Sequence, residues 1–369
     1  MNQLFRWDQM GLFLLALAAG ILPFAVPEVC AAALREGLTL CSGPLLLSLF
    51  PFLVVSRLLI QCPESDLLAL PFRLAAWGIG IRTPCAARVL CIGFLGGFAP
   101  AASAAAQAVR TGQITAEEAD ALLPACICSG PSFVVLTVGQ SLLGSAELGV
   151  LLFASQITAN YLTAALLNRF AGMHSVKLGS AAPASPAPPR LDEILADAAI
   201  TYCKLCGFIL FFRMLAAGAG ALLPAGAGTL CSILLEVCSG CDLASRTGRW
   251  GSLLCCAALS VQGLSVLLQV RTICPPEMTL RPLYRARLLH LPLSLALFYL
   301  LLPGGEADVF STLPARVLLM RRVPPDCALL VFAVCCMAAC ALRSGIRQVE
   351  QKQMARNAGG CCINSKTLL

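Results

Sequence analysis

The chain has 369 residues, of which 58% are hydrophobic and 12% are charged, and its formal net charge is +7. A soluble domain is usually about half apolar and about a quarter charged, so this composition excludes a large soluble core and indicates a polytopic helical membrane protein. The basic residues concentrate in loops and in the tail, which is typical of positive-inside topology and not of nucleic-acid binding.

Apolar runs along the chain predict roughly eight to ten membrane elements, a few of them re-entrant or broken. The first run follows a charged start, as in a signal peptide, and we expect it to be an uncleaved first span. The runs lie at residues 10–29, 38–62, 67–81, 84–109, 122–145, 146–168, 198–222, 224–240, 249–270, 286–303 and 328–343.

A Pro- and Ala-rich stretch at 179–190 predicts an extended linker that divides the chain nearly in half. The two halves are weakly similar, since QAVRT begins at Gln107 in the first and QVRT begins at Gln269 in the second. The polar connection after Gln269 is much richer in arginine, which places the two connections on opposite sides of the membrane. The sequence therefore predicts an all-α transmembrane bundle with two inverted repeats.

Two stretches that contain Gly and Pro, residues 95–100 and 128–131, flank a short acidic helix. Pro removes a backbone donor and Gly permits non-helical dihedrals, so both stretches predict a broken helix, and a third break is expected near Gly263. The alternative is that Gly and Pro merely kink packed helices. Within a membrane, the freed backbone groups must be buried in protein or line a polar cavity.

The short helix between these stretches begins with Thr115 and Glu118, which predict a capping box. Its apolar face is expected to lie towards the membrane. The residues of that face are Ala116, Ala119, Leu122 and Leu123.

These residues also carry a resemblance to a known family. The stretch FLGGFAPAASAAAQAVRTGQITAEEADALLPACICSGPSFVVLTVG resembles the bacterial sporulation integral membrane proteins of the YlbJ type. In that family a Gly-aromatic-Pro-x-Gly-Ala-Lys stretch, a short helix and an Asn-Asn-Ser-Gly-Pro turn follow in this order. GLTLCSGPLLLSLFPFLVVSRLL, LLEVCSG and LSVQGLSVLLQVRTICPPEMTLRPLYRARLLHLPL resemble further family segments, so that the resemblance covers most of residues 38–300.

The resemblance implies paired nucleoside-recognition-like Gate regions and movement of dipicolinic acid across a membrane during sporulation. It matches Gly97, Phe98, Ser129, Gly130 and Pro131 in the first half, and Glu236, Gly263, Ser265 and Gln269 in the second. The chain departs from the family where Ser103 replaces a Lys, Ala101 replaces a Gly, and Ile127 and Cys128 replace the Asn pair.

The resulting division of the chain has six segments. They are an N-terminal span and loop (1–37), a first Gate-like repeat (38–169), a Pro/Ala-rich linker with a short amphipathic helix (170–197), a second Gate-like repeat (198–303), a C-terminal span region (304–343) and a basic cytoplasmic tail (344–369).

One functional hypothesis is a multi-pass transporter of the cell membrane that moves a small polar or anionic solute in a spore-forming bacterium. Gln107, Ser129, Ser265 and Gln269 would hydrogen-bond the solute, and Gly97, Gly130 and Gly263 would let it approach the backbone. Arg57 and Arg213 could supply positive charge, although Arg57 could also snorkel to the membrane interface. Glu236 could hold a coupling ion or proton, or be an interfacial carboxylate near Asp242.

The other hypothesis is a non-transporting scaffold or gate subunit that acts with a partner, since the Asn pair and the Lys are replaced. Its partners would be membrane lipid and a second copy of the chain or another membrane protein. An enzyme is not expected, because His174 and His290 lie in separate regions and no catalytic or phosphate-loop pattern occurs. Neither a cofactor nor a metal is expected, because the CxxC pairs have no nearby His and most cysteines lie within apolar runs.

Overall fold

The computed structural model describes residues 2–62, 65–171 and 191–302. Over these residues the chain is all-helical, as predicted, with fifteen α-helices. The helices before the linker are α1 (Asn2–Ala25), α2 (Pro27–Ser42), α3 (Pro44–Gln61), α4 (Ser65–Leu68), α5 (Leu70–Gly78), α6 (Pro84–Gly96), α7 (Phe98–Arg110), α8 (Ala116–Cys126), a π-helix (Ser132–Leu142) and α9 (Ala146–Phe170).

Six α-helices and one short 3-10 helix follow the linker. They are α10 (Leu191–Leu222), α11 (Ala225–Leu235), α12 (Val237–Ser245), the 3-10 helix (Gly248–Trp250), α13 (Gly251–Val261), α14 (Gly263–Ile273) and α15 (Arg281–Leu301). Residues 191–197 form the first turns of α10, so the helix begins before the boundary expected at 198. Residues 172–190 of the linker, the C-terminal span region and the basic tail lie outside the described residues.

The helices have the length and composition of membrane spans. Among the described residues, four helical segments are long and apolar enough to cross a membrane, and five shorter apolar helices accompany them. The four are Pro27–Leu47, Ala146–Phe170, Leu191–Leu222 and Gly248–Ile273. The structure thus indicates a multi-pass membrane protein.

Local sequence signals explain where several helices begin. α2, α3 and α6 each start with a proline, whose missing amide is not needed in the first turn. At the start of α8 the Thr115 hydroxyl accepts a hydrogen bond from the Glu118 amide at 3.1 Å. The Glu118 carboxylate accepts one from the Thr115 amide at 3.0 Å, which confirms the predicted capping box.

α8 does not lie on the membrane side of the bundle. It packs against α6, α7, α9 and α15. Ala119, Leu122 and Leu123 are fully enclosed by protein, so the prediction that this face lies towards the membrane is wrong. The small side chains of α7 and α8 let the neighbouring helices close over the face that the sequence pattern marks as apolar.

One apolar core joins the two halves of the chain. It contains Leu122 and Leu152 from the first half and Leu259, Leu283 and Phe298 from the second. α9 packs against α15, and each of these helices follows an interrupted helix in its own half. The interrupted helices are therefore held against one another by a shared interior.

The π-helix and α9 approach each other at two glycines. A Cβ atom at Gly139 would lie 2.4 Å from the Gly149 Cα atom, a distance that neighbouring backbones cannot accommodate without moving apart. A Cβ atom at Gly207 in α10, in contrast, would have no other atom within 4 Å.

We predict that Gly139→Ala destabilises the protein by about 1–3 kcal/mol, because overpacking forces backbone shifts. Gly207→Ala is the matched control and should leave stability equal or slightly raised, since Ala is the better helix former. Thermal unfolding of purified protein in detergent, followed with a thiol-reactive fluorogenic dye, measures both. Equal midpoints for the two variants would contradict the close approach.

Candidate functional site

The first helix crossing consists of Gly97 and residues 127–131. Gly97 separates α6 from α7 with φ +81°, and residues 127–131 separate α8 from the π-helix. A Cβ atom at Gly97 would lie 2.7 Å from the Gly130 nitrogen, so the two breaks touch backbone to backbone. Both breaks predicted from the Gly and Pro pattern are confirmed. Phe98 packs at the start of α7, and Pro131 directly precedes the π-helix.

The second helix crossing consists of Glu236, Gln262 and Gly263. Glu236 is an extended residue between α11 and α12, whereas Gln262 and Gly263 both have positive φ, 62° and 68°, between α13 and α14. A Cβ atom at Gly263 would lie 2.9 Å from the Glu236 nitrogen. The break expected near Gly263 is confirmed, and it meets a break at Glu236 in the same way that Gly97 meets Gly130.

Glu236 caps the helix that follows it. Its two carboxylate oxygens accept hydrogen bonds from the backbone amides of Cys238 at 2.9 Å and Ser239 at 2.7 Å. The side chain is buried, and a carboxylate at this position also interacts favourably with the positive end of the helix dipole. The structure thus gives Glu236 a capping role, while Asp242 pairs separately with Arg246.

Arg287 of α15 joins the two crossings. Its guanidinium donates to the Ile127 carbonyl at 2.5 Å in the first crossing. It also donates to the Ser260 carbonyl at 3.3 Å, just before the second. The Asn160 amide donates to the same Ile127 oxygen at 3.2 Å. Carbonyls that a helix break leaves without a helical partner are in this way satisfied from inside the protein.

A buried polar cluster on α9, α13 and α15 surrounds Arg287. The Gln156 amide donates to the Ser260 hydroxyl at 3.0 Å, the Ser260 and Ser294 hydroxyls share a hydrogen bond, and His290 Nε2 contacts the Gln156 carbonyl at 3.2 Å. We call this group the α9–α15 polar cluster. Its members are Gln156, Asn160, Ser260, Arg287, His290 and Ser294.

A separate pocket lies between α3, α7, α10 and α14. It is open to one side and has a volume of about 170 Å³, which is room for one small organic molecule. Its residues are Arg57, Arg110, Asp197, Ile200, Thr201, Lys204, Leu205, Phe208, Gln269, Thr272 and Ile273.

The pocket carries net positive charge. Arg57, Arg110 and Lys204 line it together with a single described carboxylate, that of Asp197. α7 and α14 both end at the pocket, and each helix end contributes a partial charge of about −0.5. The two helix ends together offset only one of the two excess positive charges, so the pocket still favours an anion.

Gln269 connects this pocket with the second crossing. The side chain is only 2% exposed, and its Nε2 donates to the Ser265 hydroxyl at 2.9 Å, while its Oε1 has no partner within the described ranges of the chain. Ser265 lies two residues after Gly263. The polar contacts of the pocket therefore continue inwards to the second crossing.

The other predicted hydrogen-bonding residues do not line the pocket. Ser129 is buried at the first crossing, and Gln107 is half-buried on α7, which packs against α14. The structure thus brings Gln269 and Ser265 together with the pocket and leaves Gln107 and Ser129 apart from it.

The two arginines predicted to supply positive charge are both paired. Arg57 lines the pocket but forms an ion pair with Asp197 and contacts the Thr201 hydroxyl at 3.4 Å. Arg213 pairs with Glu36 at 2.7 Å and does not line the pocket. A charge that already has a partner attracts a solute less. Arg110 and Lys204, which form no ion pair among the described residues, are therefore the stronger candidates for binding an anion.

Sequence reasoning missed Arg110, Lys204 and Arg287 as site residues. Arg110 was not distinguishable from an ordinary basic residue at a helix end. Lys204 lies instead within the apolar run 198–222, where a charged side chain is itself a signal. Arg287, His290 and Ser294, in contrast, share one face of α15 by their spacing, and Gln156, Asn160 and Thr163 share one face of α9. Two polar stripes within apolar helices were the signal that could have identified the cluster.

Within the described part of the chain, no group of three His, Cys, Asp or Glu side chains is placed to hold a metal ion. Comparison with known proteins identifies no matching family, no similar curated protein and no similar solved structure.

We predict that Glu236→Ala lowers the stability by about 0.5–2 kcal/mol, because two partly buried amides of α12 lose their acceptor. Glu236→Gln keeps one acceptor oxygen and should cost less. Asp242→Asn, at a partly exposed ion pair, serves as the control with little effect. The thermal unfolding midpoints of the three variants in detergent test the capping role. Equal midpoints for Glu236→Ala and Glu236→Gln would contradict it.

Proposed function

We propose that this protein is a transporter-like membrane protein that binds a small anionic solute in the pocket between α3, α7, α10 and α14. The observation that carries the proposal is the pocket itself, because its cations Arg110 and Lys204 have no carboxylate partner among the described residues. Among the described residues, the Arg110 guanidinium contacts only the Ile273 carbonyl, at 3.4 Å.

The two crossings support movement of a solute and not only its binding. Interrupted helices whose breaks meet are typical of secondary transporters, in which one group of helices moves against another around a central site. Gln269 and Ser265 lie between the pocket and the second crossing, so that a shift at this crossing would change the inner wall of the pocket.

The family resemblance suggests dipicolinic acid as the solute and the membrane of a spore-forming bacterium as the location. A dicarboxylate agrees with the charge of the pocket, since two negative charges would match two cations that lack carboxylate partners. The inverted repeat is part of the same proposal, with α6–α9 corresponding to α11–α15.

The alternative function is a non-transporting scaffold or gate subunit, and the first crossing favours it. Ile127, which replaces the first Asn of the family pair, is fully buried in the apolar core. Ser103, which replaces the family Lys, is buried as well. Neither position therefore offers an amide or ammonium side chain to a solute at or beside the first crossing.

We predict that purified full-length protein binds dipicolinate more tightly than pyridine-2-carboxylate, and a neutral nucleoside least. Arg110→Gln and Lys204→Gln should each weaken dipicolinate binding about threefold, or ~0.7 kcal/mol, because each removes one cation that is exposed and therefore partly screened by water. Arg73→Gln and Arg249→Gln, at exposed arginines beside tryptophans and outside the pocket, are the matched controls. Equilibrium binding with labelled dipicolinate measures all five proteins.

Uptake by proteoliposomes separates the two functions. Accumulation of the bound anion by the purified protein alone would support the transporter and end the scaffold proposal. Binding without uptake, together with co-purification of a second membrane protein, would favour the gate subunit. If dipicolinate and the nucleoside bind equally weakly in wild type and variants, the anion pocket is wrong.

A further inference from the structure

Arg287 differs from the other buried arginines in its electrostatic partners. Arg57, Arg88 and Arg213 each form an ion pair with a carboxylate, whereas no carboxylate in the described part of the chain pairs with Arg287. The residue is only 7% exposed. A buried charge is costly unless it is paired, and among the described residues only neutral groups offset this cost at Arg287.

The hydrogen-bonding capacity of Arg287 is also incompletely used. A guanidinium has five N–H donors, and the contacts to Ile127 and Ser260 use the two terminal nitrogens. The buried Nε has no hydrogen-bond partner among the described residues. Thr163 Oγ1, Asn160 Oδ1 and His290 Nδ1 are further buried polar atoms without a partner on the facing helices.

The surroundings of Arg287 are polar but neutral. Hydroxyls, amides and an imidazole form the α9–α15 polar cluster, and the backbone carbonyls at the two crossings carry only partial charges. An enclosed positive charge with unused donors and no counter-ion is what an anion-binding site requires.

We propose that Arg287 binds a small monovalent anion, a carboxylate or a halide, where α15 meets the two crossings. The anion accepts from the guanidinium and takes over part of the role that the Ile127 and Ser260 carbonyls have in this structure. No residue of this site lines the pocket between α3, α7, α10 and α14, so the inference goes beyond the proposed function and does not depend on it. The anion is either a free ion from solution or the carboxyl group of a solute that has moved inwards.

The test is anion-dependent thermal stability of the purified full-length protein in detergent. At constant ionic strength, chloride or formate replaces gluconate, which is too large for an enclosed site. Between about 1 and 100 mM anion we expect the unfolding midpoint to rise by about 3 °C, as binding to the folded state requires. A thiol-reactive dye suits this protein, because cysteines such as Cys126, Cys241 and Cys255 are buried until it unfolds.

Asn160→Asp is the decisive variant. Asn160 and Arg287 donate to the same Ile127 oxygen, so an aspartate would place a carboxylate within about 6 Å of the guanidinium. This built-in counter-ion should abolish the chloride and formate response. Asn168→Asp is the matched control on the same helix, because Asn168 is equally buried but binds the Ile79 and Ala121 carbonyls instead. It should keep the response.

Arg287→Met should also abolish the rise of the unfolding midpoint with chloride or formate. If that variant does not fold, the result for Asn160→Asp alone tests the proposal. A response of wild type to both chloride and formate identifies a free ion as the ligand. A response to pyridine-2-carboxylate alone, lost in Asn160→Asp, identifies the carboxyl group of a solute. The Arg110→Gln/Lys204→Gln double variant should keep the response, which separates this site from the pocket.

Two results would overturn the proposal. One is a wild-type midpoint that none of the three anions changes. The other is a response that survives unchanged in Asn160→Asp, since the ion would then bind elsewhere.

Discussion

The structure depends on the need to satisfy backbone polar groups where helices are interrupted in apolar surroundings. A helix supplies its own hydrogen bonds, and a break removes some of them at a depth where lipid offers none. At the first crossing, Arg287 and Asn160 donate to the freed Ile127 carbonyl. At the second, the Glu236 carboxylate accepts from the first amides of α12. Buried polar side chains are thus placed where the backbone needs them.

The arginines and lysines of this protein differ in how their positive charge is compensated, and they fall into two groups. Arg57 and Arg213 pair with carboxylates whose side chains are 58% and 65% exposed, so both pairs reach the surface of the protein. Arg287 lies inside and contacts only neutral groups among the described residues. The pocket cations Arg110 and Lys204 have no carboxylate partner among the described residues, and Arg110 contacts only the carbonyl at the end of α14 there. The first group is neutralised by neighbouring carboxylates, whereas both proposed anion sites use cations without a carboxylate partner among the described residues.

Several features could be predicted because they depend on residues adjacent in the chain. Gly97 and the 128–131 stretch predict breaks through backbone dihedrals, and Thr115 with Glu118 predicts a cap through contacts within one turn. The partner of each break could not be predicted in this way. Gly97 meets Gly130 and Gly263 meets Glu236 only because the helices cross, and helices that cross are distant in sequence. The same reason explains why the apolar face of α8 was assigned to lipid instead of to α9 and α15.

The sequence by itself determined that the chain is helical, that it has the composition of a multi-pass membrane protein, and that its helices are interrupted near Gly97, Ser129 and Gly263. These properties follow from hydropathy and from the dihedral limits of Gly and Pro, which act locally. Only the tertiary structure decided which arginine is paired and which is not, and which residues enclose the pocket. Burial and charge compensation depend on neighbours that packing brings from both halves of the chain, and no local pattern contains them.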